Sequence, residues 1–263
     1  MKASFLIFLS FFSSAQVSLL DHTPVQAGEV LEYRLAYGWF SLGRATMVTA
    51  EKKDDRYQRD SYKIDIAGKT GGLLGAFASV NDVWGGVFDK EDFKPYYSYR
   101  DVQEGDYILD EKVYFDYDQK KIILKQVFGK DKVIRPTRYF DIEKDETYDL
   151  MAGIAFTRSI DYKKLNPGDT IRMDTYFDKE FYNFEMVYEG IKSIRTKVGR
   201  LNAYKIVPIM PDNKLFRGRN PISIWFSADS NRLPLKVEAD MFFGSAYCEL
   251  TGYKNVKNAI DFQ

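Results

Sequence analysis

One histidine, His22, and one cysteine, Cys248, stand among 38 acidic and 38 basic side chains. A lone histidine near the start of the chain cannot build a histidine-rich zinc site. It also leaves Ser-His-Asp and Cys-His mechanisms without their base. By position, His22 reads as a solvated residue ahead of the first strand. Cys248 has no partner for an internal disulfide and reads as a small hydrophobe inside a strand. Carboxylates are what remains for catalysis, and a pair about 5 to 9.5 Å apart across a cleft hydrolyses glycosides. Asp110-Glu111 and the run Glu143 to Glu146 supply the residue type, yet neighbours of this kind arise by chance among 38 acids and read as solvated strand or turn residues. Asp116-Tyr117-Asp118 lacks the glycine and distal glutamate of a calcium loop. Gly71-Gly72-Leu73-Leu74-Gly75 fits neither a phosphate loop nor a dinucleotide fingerprint. The expectation is a protein without metal, cofactor or catalytic residues.

The surplus is aromatic, at 16% of the chain with 20 Phe and 19 Tyr. Rings of this kind line apolar or sugar-binding cavities as readily as they fill cores. Trp39, Phe40, Phe77, Trp84, Phe216 and Trp225 are the candidate ligand-binding residues, with structural core as the competing reading of each. Equal numbers of acids and bases remove the electrostatic footprint of a nucleic-acid binder.

Alternation of apolar and polar residues predicts the elements that must position these side chains. Leu31, Tyr33, Leu35 and Tyr37 share one face of Val30 to Tyr37. Tyr62, Ile64 and Ile66 do so between Ser61 and Ala67. Leu109, Val113, Phe115 and Tyr117 do so from Tyr107 to Tyr117, with Asp110, Lys112 and Asp116 opposite. Further runs cover Ile122–Phe128, Thr170–Phe177, Phe181–Tyr188, Ala203–Ile209, Ile222–Ser227 and Leu233–Met241. Turn signals at Asp54-Asp55, Asn166 to Asp169 and Val198 to Arg200 separate them, and Asp229 to Arg232 reads as a hairpin. The spacing is that of a sandwich or barrel.

Thr147 to Ile160 breaks the pattern. Leu150, Met151, Ile154 and Ala155 recur at helical spacing, with Asp145, Glu146 and Asp149 at the start and Arg158, Lys163 and Lys164 towards the end, as the helix dipole prefers. Thr147 or Asp145 is the expected cap. The glycine-rich stretch from Lys69 to Ser79 resists a strand reading and is expected to form a short helix or bulged strand on the sheet, with a mobile apolar lid as the alternative.

At the front, Met1-Lys2, an apolar run from Ala3 to Phe12 and Ser13-Ser14-Ala15 have the form of a secretory signal cleaved after Ala15. The expected layout is a signal peptide over 1–15, a linker over 16–27 and one β-rich domain over 28–263. No later segment has the roughly 20 apolar residues a spanning helix needs. The expected location is the periplasm, with secretion beyond the cell as the alternative.

Several segments in order resemble the DUF3108 family of exported bacterial proteins. They are Gly28-Glu29-Val30-Leu31-Glu32-Tyr33 with Tyr37-Gly38 and Gly43, then Thr147-Tyr148-Asp149-Leu150-Met151, then Gly199 to Pro208. Ile224 to Asp229 and Arg232 to Glu238 complete the set. The resemblance transfers no catalytic residue. The last hairpin is also similar to those of periplasmic lipoprotein carriers of the LolA and LolB type. The expected fold is mostly β: a strongly curved antiparallel sheet or open barrel, with one main helix at about 147–160 on its concave face. The expected role is non-catalytic binding or carriage of a lipid or lipid-linked glycan. The alternatives are an envelope assembly module that grips a protein partner and a carboxylate-based glycan hydrolase.

Overall fold

The computed structural model describes residues 20, 23–71, 79–209 and 220–263. The signal segment 1–15, His22, Gly72 to Ala78 with Phe77, and Phe216 lie outside the described residues. The first half supplies strands β1 (Val30–Tyr37), β2 (Phe40–Lys53), β3 (Asp60–Thr70), β4 (Asn81–Asp89), β5 (Pro95–Glu104), β6 (Tyr107–Asp116), β7 (Lys121–Phe128), β8 (Val133–Ile134) and β9 (Arg138–Asp141). A two-residue strand β10 (Thr147–Tyr148) leads into helix α1 (Leu150–Ser159). The second half adds β11 (Thr170–Phe177), β12 (Glu180–Thr196), β13 (Gly199–Pro208), β14 (Ile222–Ser227), β15 (Pro234–Asp240) and β16 (Ser245–Lys254).

These strands form one sheet. It runs in chain order from β10 through β16, returns through β1 paired to β16, and continues to β7, whose far side takes both β8 and β9. Every pairing is antiparallel except β10 with β11. The expected curved, open β architecture with a central helix is what forms. Alternation does the work: in β6 the inward row Leu109, Val113 and Phe115 is buried, as are Ile122 and Leu124 of β7. A bulge after Leu35 shifts the phase of β1, so Ala36 turns into the core where strict alternation would place Tyr37.

Helix α1 lies on the concave face, packed against β4 and β11, with Met151, Ala152 and Ala155 buried. Its cap is Asp149, whose side chain accepts from the Ala152 N–H at 2.7 Å. Neither expected cap serves: Thr147 is held in the parallel pairing of β10 with β11, opposite Asp174, and Asp145 lies upstream of that strand. At the other end of the helix Arg158, fully buried, makes a two-pronged ion pair with Glu29 at 2.6 and 2.9 Å. Beyond it Tyr162 stacks on Tyr204 with ring centroids 4.5 Å apart. The helix therefore fills most of the interior.

Candidate functional site

The sheet does not close through backbone hydrogen bonds, since β10 and β11 face the β7–β9 edge across a seam. Side chains bridge it. Tyr176 of β11 meets Phe140 of β9 with centroids 5.5 Å apart, and Phe115 of β6 edge-on at 6.3 Å. Trp84 of β4 stacks on Phe177 at 5.8 Å. The guanidinium of Arg100, on β5, sits 5.4 Å from the Trp84 ring and 5.2 Å from that of Phe177. Arg100 donates to Glu111 at 2.8 Å and to Asp178, in the β11–β12 turn, at 2.9 Å. Gln126 donates to the other Glu111 oxygen at 2.6 Å, and Arg138 donates to Gln126 at 3.3 Å. Charge-assisted bonds of this kind are short and directional.

Beneath that layer lies a cavity of about 40 Å³ walled by Trp84, Ser98, Arg100, Glu111, Asp149 and Phe177, among others. Space of that size holds water, not a lipid chain. Asp149 is buried there. One of its oxygens caps the helix, while the other makes no hydrogen bond of good geometry. Burial pushes its carboxyl up to about 7, against the pull of the Ala152 and Met151 N–H groups and the Ser98 hydroxyl. The Tyr176 hydroxyl, also buried, is likewise without a partner. Unbonded buried polar atoms are uncommon in folded proteins; these two share the seam, though they are not the only ones among the described residues.

Backbone supply explains how the helix comes so close. A side chain on Gly86 would place its Cβ 2.8 Å from Asp149 Oδ2 and 2.9 Å from Met151 Cβ. On the outer face, a Cβ on Gly85 would fall 2.5 Å from the Tyr99 ring. The glycine pair thus lets α1 pack inside and Tyr99 outside. Gly86→Ala is expected to destabilise the fold by about 1–3 kcal/mol through overpacking. A urea midpoint unchanged from wild type would show that α1 yields at no cost.

A second cleft, of about 470 Å³, opens near the β14–β15 turn and is lined by Lys163, Asp229, Ser230, Arg232 and Asp261 among others. It is larger, but Asp229 is already engaged by the Ser227 hydroxyl and the Asn231 and Arg232 N–H groups. That arrangement builds a turn, so the seam is the stronger candidate.

The four described candidate aromatics fall in three places. Trp84 walls the seam. Trp39 and Phe40 stand exposed at the β1–β2 tip. Half-buried Trp225 lies on β14 between Lys205 and Lys236, with the Lys205 ammonium 5.4 Å from its ring. No common cavity gathers them. Sequence reasoning passed over Asp149, Arg100 and Glu111 as site residues. Glu111 did carry a signal: it falls on the inward row of β6 between Leu109 and Val113. Among the described residues no group of His, Cys, Asp and Glu is arranged to hold a metal ion.

The family model for DUF3108, a protein family of unknown function, matches residues 32–251. The chain belongs to the DUF3108 family. No curated protein matches this DUF3108 chain. Among solved structures it is similar to a β-barrel-like protein of the domain of unknown function DUF1849 from Brucella abortus. The TM-score is 0.55 and the identity 10%, over 88% of this chain and 97% of that one. At that identity the likeness speaks for fold alone. Fainter matches are a Bacteroides fragilis protein described as exported, with a YmcC-like fold (TM-score 0.38, 10% identity, 90% and 100% covered), and a Parabacteroides distasonis protein described as a lipoprotein (0.34, 10%, 89% and 100%). Among the described residues no helix is long and apolar enough to cross a membrane.

Proposed function

We propose that this DUF3108 chain is a non-catalytic protein of the bacterial periplasm that binds an amphipathic envelope molecule, a lipid or lipid-linked glycan, at the seam of its sheet. The signal-like residues 1–15 support the location. One observation carries the reading. Where the sheet fails to close, a buried and half-unbonded carboxylate, Asp149, faces a small cavity roofed by the Trp84, Arg100 and Phe177 layer. Leu150, half exposed, and Phe177 give an apolar portion a wall, while the uncommitted Asp149 oxygen gives a polar end its partner. Because the cavity is small, binding requires the Trp84–Phe177 stack to part. Among the described residues lining the cavity, Glu111 and Asp178 are both paired with Arg100, which favours the binding reading over glycoside chemistry.

Native mass spectrometry of protein from a periplasmic extract, followed by organic extraction, tests this. A stoichiometric lipid or glycolipid adduct is expected on the wild type and is expected to fall at least tenfold in Trp84→Ala. A bare mass that stays bare after incubation with an envelope lipid extract would sink the reading.

A further inference from the structure

Two hairpin tips stand side by side at one end of the sheet. β1 pairs with β16, with Tyr37 opposite Ala246, and the Gly38 N–H donates to the Ser245 carbonyl at 2.9 Å. This brings the β1–β2 tip against the β15–β16 tip, which is tightened by the Met241 N–H donating to the Gly244 carbonyl at 2.9 Å. The first tip presents Trp39 and Phe40, 84% and 61% exposed, and the second presents Phe242 and Phe243, 56% and 86% exposed. Four aromatic rings on adjacent turns form an apolar knob. Turns at the opposite end of the strands are built differently, around carboxylates: Asp54 caps the β2–β3 turn and Asp89 the β4–β5 turn.

Below the first tip, Arg44 of β2 lies opposite Lys69 of β3, both exposed. Neither makes an ion pair among the described residues. Asp240, at the base of the second hairpin, accepts from the Ser245 hydroxyl at 2.8 Å. Aromatic side chains at loop tips with free cations just behind them match the layering of a bilayer surface. Trp and its neighbours favour the headgroup boundary, and the cations meet lipid phosphates. We infer that the Trp39–Phe40 and Phe242–Phe243 tips dock this protein onto an anionic phospholipid bilayer, with Arg44 and Lys69 against the headgroups. The inference stands apart from ligand binding at the seam, because the tips share no residue with that cavity.

The test is co-sedimentation of the mature chain with vesicles of phosphatidylethanolamine and phosphatidylglycerol, roughly three to one, at low salt. Screening acts within a Debye length, so binding should weaken as salt rises. Wild-type protein is expected to pellet with the vesicles. The double variant Trp39→Ser/Phe243→Ser changes only exposed side chains and is expected to lose at least tenfold in partitioning, with unchanged circular dichroism. Arg44→Glu/Lys69→Glu is expected to bind less to these vesicles and to lose the salt dependence. Wild type that stays in the supernatant would overturn the inference, as would a serine variant that pellets like wild type. Concentration-dependent dimerisation abolished by the serine variant, without vesicle binding, would also overturn it and identify the knob as a protein interface. Vesicle binding is read without reference to bound cargo, so its failure and a bare native mass are distinguishable.

Discussion

Arg158→Met is expected to lower the melting temperature by roughly 6–20 °C, because it strands a carboxylate in the core. Arg158 is 0% and Glu29 1% exposed, and the guanidinium also donates to the Asn231 carbonyl at 3.1 Å. Removing one partner of a buried pair costs about 3–5 kcal/mol, since the remaining charge has neither water nor counter-ion. For a domain of this size each kcal/mol shifts the midpoint by about 2–4 °C. That loss is a large part of a typical stability of about 5–15 kcal/mol. The double variant Glu29→Leu/Arg158→Met removes both charges and is expected to recover most of the loss, leaving the Asn231 carbonyl as the chief deficit. Calorimetry of the two single variants and the double closes the cycle. A single variant within about 2 °C of wild type would mean that water reaches Glu29, and the pair would then not be the tie between α1 and the first strand.

This ion pair was invisible in the sequence, because its partners stand 129 positions apart. Local pattern revealed most of the rest of the scaffold. β1, β11 and β14 begin and end where alternation places them, and β1 and β11 each have one covered and one wetter face. β4 defeats that reading for a physical reason. Gly85, Gly86, Val87 and Phe88 are buried in succession, with α1 covering one face and Tyr99 packed over Gly85 on the other, so no alternation survives. The helix was legible from its spacing, but its cap was not. Thr147 and Tyr148 are drawn into pairing with β11, a tertiary contact that overrides local capping preference and moves the cap to Asp149. The seam was illegible as a site because it joins Arg100 to Asp178 and Trp84 to Phe177 across the whole sheet. What sequence could show was its oddity within single strands. Glu111 interrupts the apolar row of β6, and Arg100 sits in the inward row of β5 between Tyr96 and Val102.

Asp149 gives the seam a pH signature. Its carboxyl titrates near 3.8 in an unfolded chain and at about 7 when buried beside α1. Between those values the native state holds the proton more tightly than the unfolded state does. Stability contributed by this group is therefore present in full below about pH 4 and is lost as pH rises towards 7. Three pKa units correspond to about 4 kcal/mol, an order-of-magnitude figure for a fully buried group. Asp149→Asn cannot titrate, yet its side-chain oxygen can still accept from the Ala152 N–H, and asparagine is as good a helix cap as aspartate. From about pH 5 to 8 roughly two of those pKa units are expressed, about 2.6 kcal/mol, so the melting temperature of the variant relative to wild type is expected to climb over that range by roughly 5–10 °C. Other ionisable groups are common to both proteins and cancel in the difference. Asp149→Ala separates cap from charge: it should gain the same upward slope but sit lower at every pH, by about 1 kcal/mol for the lost cap. A difference between Asn variant and wild type that stays flat over this range would show that Asp149 is ionised and solvated at neutral pH. A seam wet enough for that would have no dry polar group to offer a ligand, so the flat result would count against binding there as well.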